Sequence, residues 1–141
     1  MALQQAPELR DVFLRYYQAL EQGDASMVLA LMSRDHGVLG IGTDPAEWWS
    51  DFVSIERSYT AQLAEMRAAG VRFKPGDPQC YQEGTVGWGA DQIRILLPNG
   101  TQRAVRLTAV FRREGDTWKM VQSHASIGVP NADALGTDLT I

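Results

Sequence analysis

Among the side chains that could do chemistry in this chain, His124 and Asp91 stand out. His124 sits in Val121-Gln122-Ser123-His124-Ala125-Ser126-Ile127, a segment suited to burial, and histidine is the residue type most used as a general acid or base. It reads either as a proton-transfer group or ligand anchor in a cavity, or as a core or dimer-interface histidine satisfied by a backbone or carboxylate partner. Asp91, in Trp88-Gly89-Ala90-Asp91-Gln92-Ile93, is the best-placed carboxylate. If Asn99-Gly100 is a two-residue hairpin turn, Asp91 lies opposite Thr108 and diagonal to Arg106 on one sheet face. The pair is then either part of an acid–base site or an ordinary cross-strand ion pair, in which Asp91 is a poor base. The same register puts Trp88 beside Phe111 and carries that face on to Trp118, Met120 and His124. A β-bulge in either hairpin would exchange the faces, because side chains alternate with period two.

Tyr16, Tyr59 and Trp49 complete the set of candidates. Aromatic residues at helical spacing suit a plain core, but a buried hydroxyl needs a partner, and a ligand can supply it. Tyr16, Tyr59, Trp88 and Arg106 are therefore the expected ligand-binding residues. Asp35-His36 is not a dyad in a strand, where neighbours point to opposite faces. Cys80, the one cysteine, excludes an intrachain disulfide and lacks a flanking cluster to activate it. With two histidines and one cysteine no metal site is expected, and no glycine-rich strand-to-helix turn suggests a flavin or nicotinamide cofactor.

The elements that must position these residues follow from periodicity. Leu9, Val12, Phe13, Tyr16, Tyr17 and Leu20 fall on one face of a helix from Glu8 to Gln22, with Pro7 in the first turn and Gly23 as its end. Asp24 caps a shorter helix carrying Val28, Leu31 and Met32 and ending near Arg34, and Gly37 to Ile41 alternates as a short strand. Asp44-Pro45-Ala46-Glu47 reads as a capping box opening a long helix whose stripe is Trp48, Phe52, Ile55, Tyr59, Leu63 and Met66, ending near Ala69. Strands are expected at Val71–Phe73, Gln79–Glu83, Thr85–Leu97, Thr101–Arg113 and Thr117–Val129. Gly87 and Gly89 flank Trp88 and suggest a sharp bend in the sheet.

At 141 residues, 45% hydrophobic and 21% charged, the chain has the make-up of one globular domain, expected over 1–130 with a loosely held tail at 131–141. A formal charge of -4 gives no footprint for nucleic acid. No apolar stretch is long enough to cross a membrane, and Met1-Ala2-Leu3-Gln4-Gln5 lacks a signal-peptide pattern, so the expected location is the cytoplasm.

This order of elements, with Arg15-Tyr16-Tyr17-Gln18-Ala19-Leu20-Glu21-Gln22-Gly23-Asp24 in the first helix and turn, resembles the nuclear-transport-factor-2-like superfamily, in its SnoaL-like and ketosteroid-isomerase-like branch. Leu107-Thr108-Ala109-Val110-Phe111, Trp118-Lys119-Met120-Val121 and Ser123-His124-Ala125-Ser126 are similar to that branch's closing hairpin. The resemblance implies an α+β cone with N-terminal helices packed on a strongly curved, mainly antiparallel sheet. It also implies an apolar cavity at the open end and a homodimer through the outer sheet face. The superfamily hosts isomerases, cyclases, hydrolases, dehydratases, carriers and assembly domains, so fold alone does not name a reaction. In its steroid isomerases a strand aspartate is the base; here Gly40 stands at that place, Thr108 at the sheet donor, and Tyr16 at the helix tyrosine. Arginines that bind carboxylates in the kinase-association domains become Ala109 and Ala125, leaving Arg94 or Arg106 as substitutes. The reading is a domain that binds a small apolar organic ligand. The alternatives are an acid–base enzyme acting through His124 or Asp91 on a polyketide-, steroid- or terpene-like substrate, and a homodimerisation module.

Overall fold

The computed structural model describes residues 2–139; Met1 and the tail residues Thr140 and Ile141 lie outside them. After a two-residue strand, β1 (Gln4–Gln5), Pro7 opens helix α1 (Pro7–Gln22) where a missing N–H leaves no intrahelical bond unmade. Gly23, at φ 68°, ends it in the left-handed conformation, and Leu9, Val12, Phe13, Tyr16, Tyr17 and Leu20 are buried along one face. Asp24 caps helix α2 (Ala25–Ala30) by accepting from the Met27 amide at 3.0 Å.

The segment after α2 departs from the sequence expectation. Asp44-Pro45-Ala46-Glu47 makes one bond of a capping box, Asp44 N–H donating to Glu47 Oε1 at 2.8 Å, while Asp44 Oδ1 accepts from Ala46 N–H at 2.8 Å and the Glu47 N–H donates to the Asp44 carbonyl at 2.9 Å. The box encloses a turn, however, between β2 (Leu39–Ile41) and β3 (Trp48–Trp49), which pair antiparallel. Helix α3 (Phe52–Ala68) starts later, capped by Asp51, whose carboxylate accepts from Ser54 N–H at 2.7 Å. Trp48, assigned by its spacing to the buried helical stripe, is consequently 64% exposed.

The rest is sheet: β4 (Arg72–Lys74), β5 (Gln79–Glu83), β6 (Val86–Leu96), β7 (Gln102–Glu114) and β8 (Thr117–Ser126), followed by a short helix α4 (Asn131–Leu135) with no buried residue. The strand order is β1-β5-β6-β7-β8-β2-β3, with β4 on the edge of β6 that β5 also uses. Among the described residues, every pairing between these strands is antiparallel except β2 with β8, and an isolated parallel bridge joins Met32 to Met120. The class is α+β: α1 and α3 pack on the inner face of a curved, unclosed sheet.

Two local features decide which side chains face inward. The β6–β7 turn is a three-residue loop, Pro98-Asn99-Gly100, and not the expected two-residue turn. Gly100 N–H donates to Leu97 O at 2.9 Å, Leu97 N–H to Thr101 O at 2.8 Å, and Gly100 has φ 87°. Pro98 sets the φ that a type I turn needs, and Gly100 supplies the left-handed residue that follows it. The register therefore slips by one: Asp91 faces Leu107 and Trp88 faces Val110. In β7–β8, Phe111 pairs with Met120 and Val110 with Gln122, so Val121 is a bulge. Inward residues of β8 switch there from Trp118 and Met120 to Ser123 and Ala125.

Gly87 and Gly89, expected to mark a bend, serve close packing with α1. A Cβ on Gly87 would stand 2.2 Å from Leu9 Cδ1, and one on Gly89 would stand 2.6 Å from the Phe13 ring. Phe13, Phe111, Leu9, Ile55, Leu63 and Met120 fill the core beneath. Among the described residues, no helix is long and apolar enough to cross a membrane.

Candidate functional site

The inner face of the sheet and the two long helices do not fill the space between them. A cavity of about 120 Å³ remains, open at one end. Its sheet wall is apolar: Ile93, Ile95, Val105, Leu107 and Ala125, with Ser123 among them. Helix α1 contributes Tyr16 and Leu20, helix α3 contributes Tyr59, Gln62 and Met66, and the β2–β3 hairpin brings Glu47 and Trp49 to the rim.

Two phenols meet in this space. Tyr16 Oη and Tyr59 Oη lie 2.7 Å apart, close enough that one hydroxyl donates to the other. The rings stack edge to face at 6.3 Å, and Trp49 packs against Tyr59 at 6.1 Å. Burial, then the neighbouring Tyr59, raises the Tyr16 pKa well above the ordinary phenol value. Burial likewise raises Tyr59, with the Glu47 carboxylate adding to it and the Tyr16 hydrogen bond opposing it. The pair is accordingly a neutral hydrogen-bond donor, with one O–H spent internally and the other free for a third oxygen. At the rim, Glu47 accepts from Asp44 N–H through Oε1 and from the Gln62 amide through Oε2.

The model of the SnoaL-like domain family matches residues 9–130. The chain belongs to the SnoaL-like family. Solved structures similar to this SnoaL-like domain include an NTF2-like protein of unknown function from Pseudomonas putida KT2440, with a TM-score of 0.76 at 16% identity, covering 85% of this chain and 84% of that one. A candidate dehydratase of the NTF2-like family from Streptomyces avermitilis superposes with a TM-score of 0.75 at 24% identity, covering 87% of this chain and 95% of that one. An NTF2-like protein with a cystatin-like fold from Novosphingobium aromaticivorans gives 0.74 at 20%, covering 93% and 88%. At these identities the likeness is one of fold, and it agrees with the superfamily resemblance drawn from the helix and closing-hairpin segments. A comparison with curated proteins finds no significant match.

Within this SnoaL-like domain the residues singled out by sequence separate into two groups. Tyr16, Tyr59 and Trp49 line the cavity. His124 does not: it pairs with Thr108 on β7 and Ile41 on β2 and is exposed on the outer sheet face, because the Val121 bulge turns Ser123 inward in its place. Trp88 and Arg106 are on that outer face too, Trp88 at 39% exposure and Arg106 beside Gly128. Asp91 is on the inner side, so the expected Asp91–Arg106 pair does not form. Its carboxylate instead accepts from Tyr17 Oη at 2.7 Å, from Gln92 N–H at 2.8 Å, from Asp77 N–H at 2.9 Å and from Gly76 N–H at 3.2 Å. That arrangement clamps the β4–β5 loop to α1, outside the cavity.

Glu47, Gln62 and Ser123 were missed. Reading Glu47 as a helix cap concealed it, although the Trp48-Trp49 pair next to it was a sign of a chain segment near an apolar space. Ser123 differs from His124 only by the parity that one bulge sets. Among the described residues, no three His, Cys, Asp or Glu side chains converge as metal ligands.

Proposed function

We propose that this SnoaL-like domain binds a small, largely apolar organic molecule whose oxygen accepts a hydrogen bond from the Tyr16–Tyr59 pair. The buried phenol pair in an otherwise apolar cavity carries the reading, since its free O–H is a directed donor in surroundings that offer few other partners. Size narrows the ligand. A cavity of about 120 Å³ is below the ~300–1,000 Å³ typical of drug-sized sites and close to the roughly 150 Å³ that holds benzene elsewhere. A single ring suits this volume better than a steroid or polyketide skeleton. Neither His124 nor Asp91 reaches this space, so the reading gives neither of them a proton-transfer role there.

Titration with cyclohexanone, followed by tryptophan fluorescence, to which Trp49 contributes from the cavity, and by calorimetry, tests the proposal. Tyr16→Phe and Tyr59→Phe should each weaken binding by about 2- to 12-fold, the worth of one hydrogen bond. Leu107→Trp should abolish binding by filling the space. Unaltered affinity in Leu107→Trp would place the ligand elsewhere and end the proposal.

A second reading, homodimerisation through the outer sheet face, rests on a separate observation. Trp88 and Val86 are 39% and 44% exposed there, and Trp88 is flanked across the strands by Tyr81 and Val110. Sedimentation at about 10 μM should give a dimer that Trp88→Glu splits, because a carboxylate at the centre of an apolar interface is left unpaired. A wild-type monomer at that concentration would rule it out.

A further inference from the structure

We infer that Glu47 sets the charge class of the ligand, so that the cavity takes a neutral or cationic molecule with a hydroxyl or ammonium head and turns anions away. This rests on the reading of the cavity as a ligand site. Among the described lining residues Glu47 is the one formally charged side chain, and no arginine, lysine or histidine accompanies it. An entering carboxylate or phosphate would pass that half-buried charge at the rim, where repulsion is screened less than in open water, with no cation among the lining residues to offset it.

The carboxylate is also held in place. Asp44 N–H donates to Oε1 at 2.8 Å from the hairpin, and the Gln62 amide donates to Oε2 from α3. The stem of Glu47 lies over Gly42, where an added Cβ would stand 2.8 Å from Glu47 Cβ and 2.7 Å from Oε1. Any larger residue at position 42 would push the carboxylate aside. Two of its roughly four lone-pair directions are occupied, which leaves acceptor capacity for a ligand. A hydroxyl offers both functions that the lining calls for, an oxygen to accept from the phenol pair and an O–H to donate to Glu47, whose charge acts on the Tyr59 phenol. An ammonium offers the second of them.

Three probes with a common ring and different heads test this: benzyl alcohol, benzylamine and benzoate, measured by calorimetry against the full chain. The alcohol and the amine should bind on the order of tenfold tighter than benzoate, as a charge-assisted contact replaces a repulsion. Glu47→Gln should bring the amine-to-benzoate ratio towards one, and Gln62→Glu, adding a second carboxylate, should raise it. Benzyl alcohol binding alongside benzoate that matches the amine would overturn this inference and leave the cavity reading standing. An unchanged ratio in a Glu47→Gln protein with a native near-ultraviolet dichroism spectrum would overturn it as well. Failure of all three probes to bind would overturn both.

Discussion

Asp91→Asn distinguishes a carboxylate that holds the fold from one that moves protons. In the native protein Oδ2 accepts from Tyr17 Oη at 2.7 Å and Gly76 N–H at 3.2 Å, while Oδ1 accepts from Asp77 N–H at 2.9 Å and Gln92 N–H at 2.8 Å. Asparagine keeps one acceptor and turns an amide NH2 towards the Gly76 N–H, donor against donor. The part-buried Tyr17 contact is the costly change: it loses its charged acceptor and is left to accept from the new amide, at a cost of about 1.5–3 kcal/mol at most, and the exposed loop bonds add little. An unfolding entropy of about 2.1 cal/mol/K per residue over 141 residues comes to about 0.3 kcal/mol/K, so a loss of about 1.5–3 kcal/mol lowers Tm by roughly 5–10 °C. The assay is a pair of thermal melts at pH 7, with cyclohexanone affinity measured beside them and expected to stay within about twofold of wild type, since Asp91 lies outside the cavity. Tyr17→Phe should show a similar fall, and the double variant should fall by clearly less than the sum. A normal melt combined with lost ligand binding or turnover would refute the structural role and restore the catalytic one.

Gly89→Ala should destabilise by about 1–3 kcal/mol, because its Cβ would stand 2.6 Å from the Phe13 ring and 2.7 Å from Cys80 Sγ; an unchanged urea midpoint would contradict the close packing of α1. Burial pushes the Cys80 thiol up to about 11, so it should resist a thiol reagent at pH 7.5 and react once the chain is unfolded. The Ser33 hydroxyl and then the Arg112 guanidinium hold the Glu114 carboxyl below its ordinary value of 4.5. A depressed folded-state pKa adds stability above that ordinary value and loses it as pH falls through the folded one. Glu114→Gln should thus melt lower than wild type at pH 7, with the gap narrowing as pH falls below 4.5, and a gap that does not narrow at all in acid would contradict this.

What the sequence by itself determined is what neighbouring residues can settle among themselves. The three–four spacing from Leu9 to Leu20, the left-handed glycine at 23, the Asp24 cap and the apolar runs of β5 to β8 specify their elements locally, and with them the α+β class. Tyr16 and Tyr59 were legible as candidates because buried phenols need partners. Capping by Asp44 and Glu47 was ambiguous, since the same two hydrogen bonds can close a turn or open a helix, and only the pairing of Gly40 with Trp49 across the hairpin chose the turn. The tertiary structure decided the rest through parity. One extra residue in the Pro98-Asn99-Gly100 loop and one at Val121 change which side of each strand faces the helices, and they send His124, Trp88 and Arg106 outward while Ser123 turns in. Those choices depend on how strands fit against α1 and α3 across the core, a balance of packing that no window of the sequence contains.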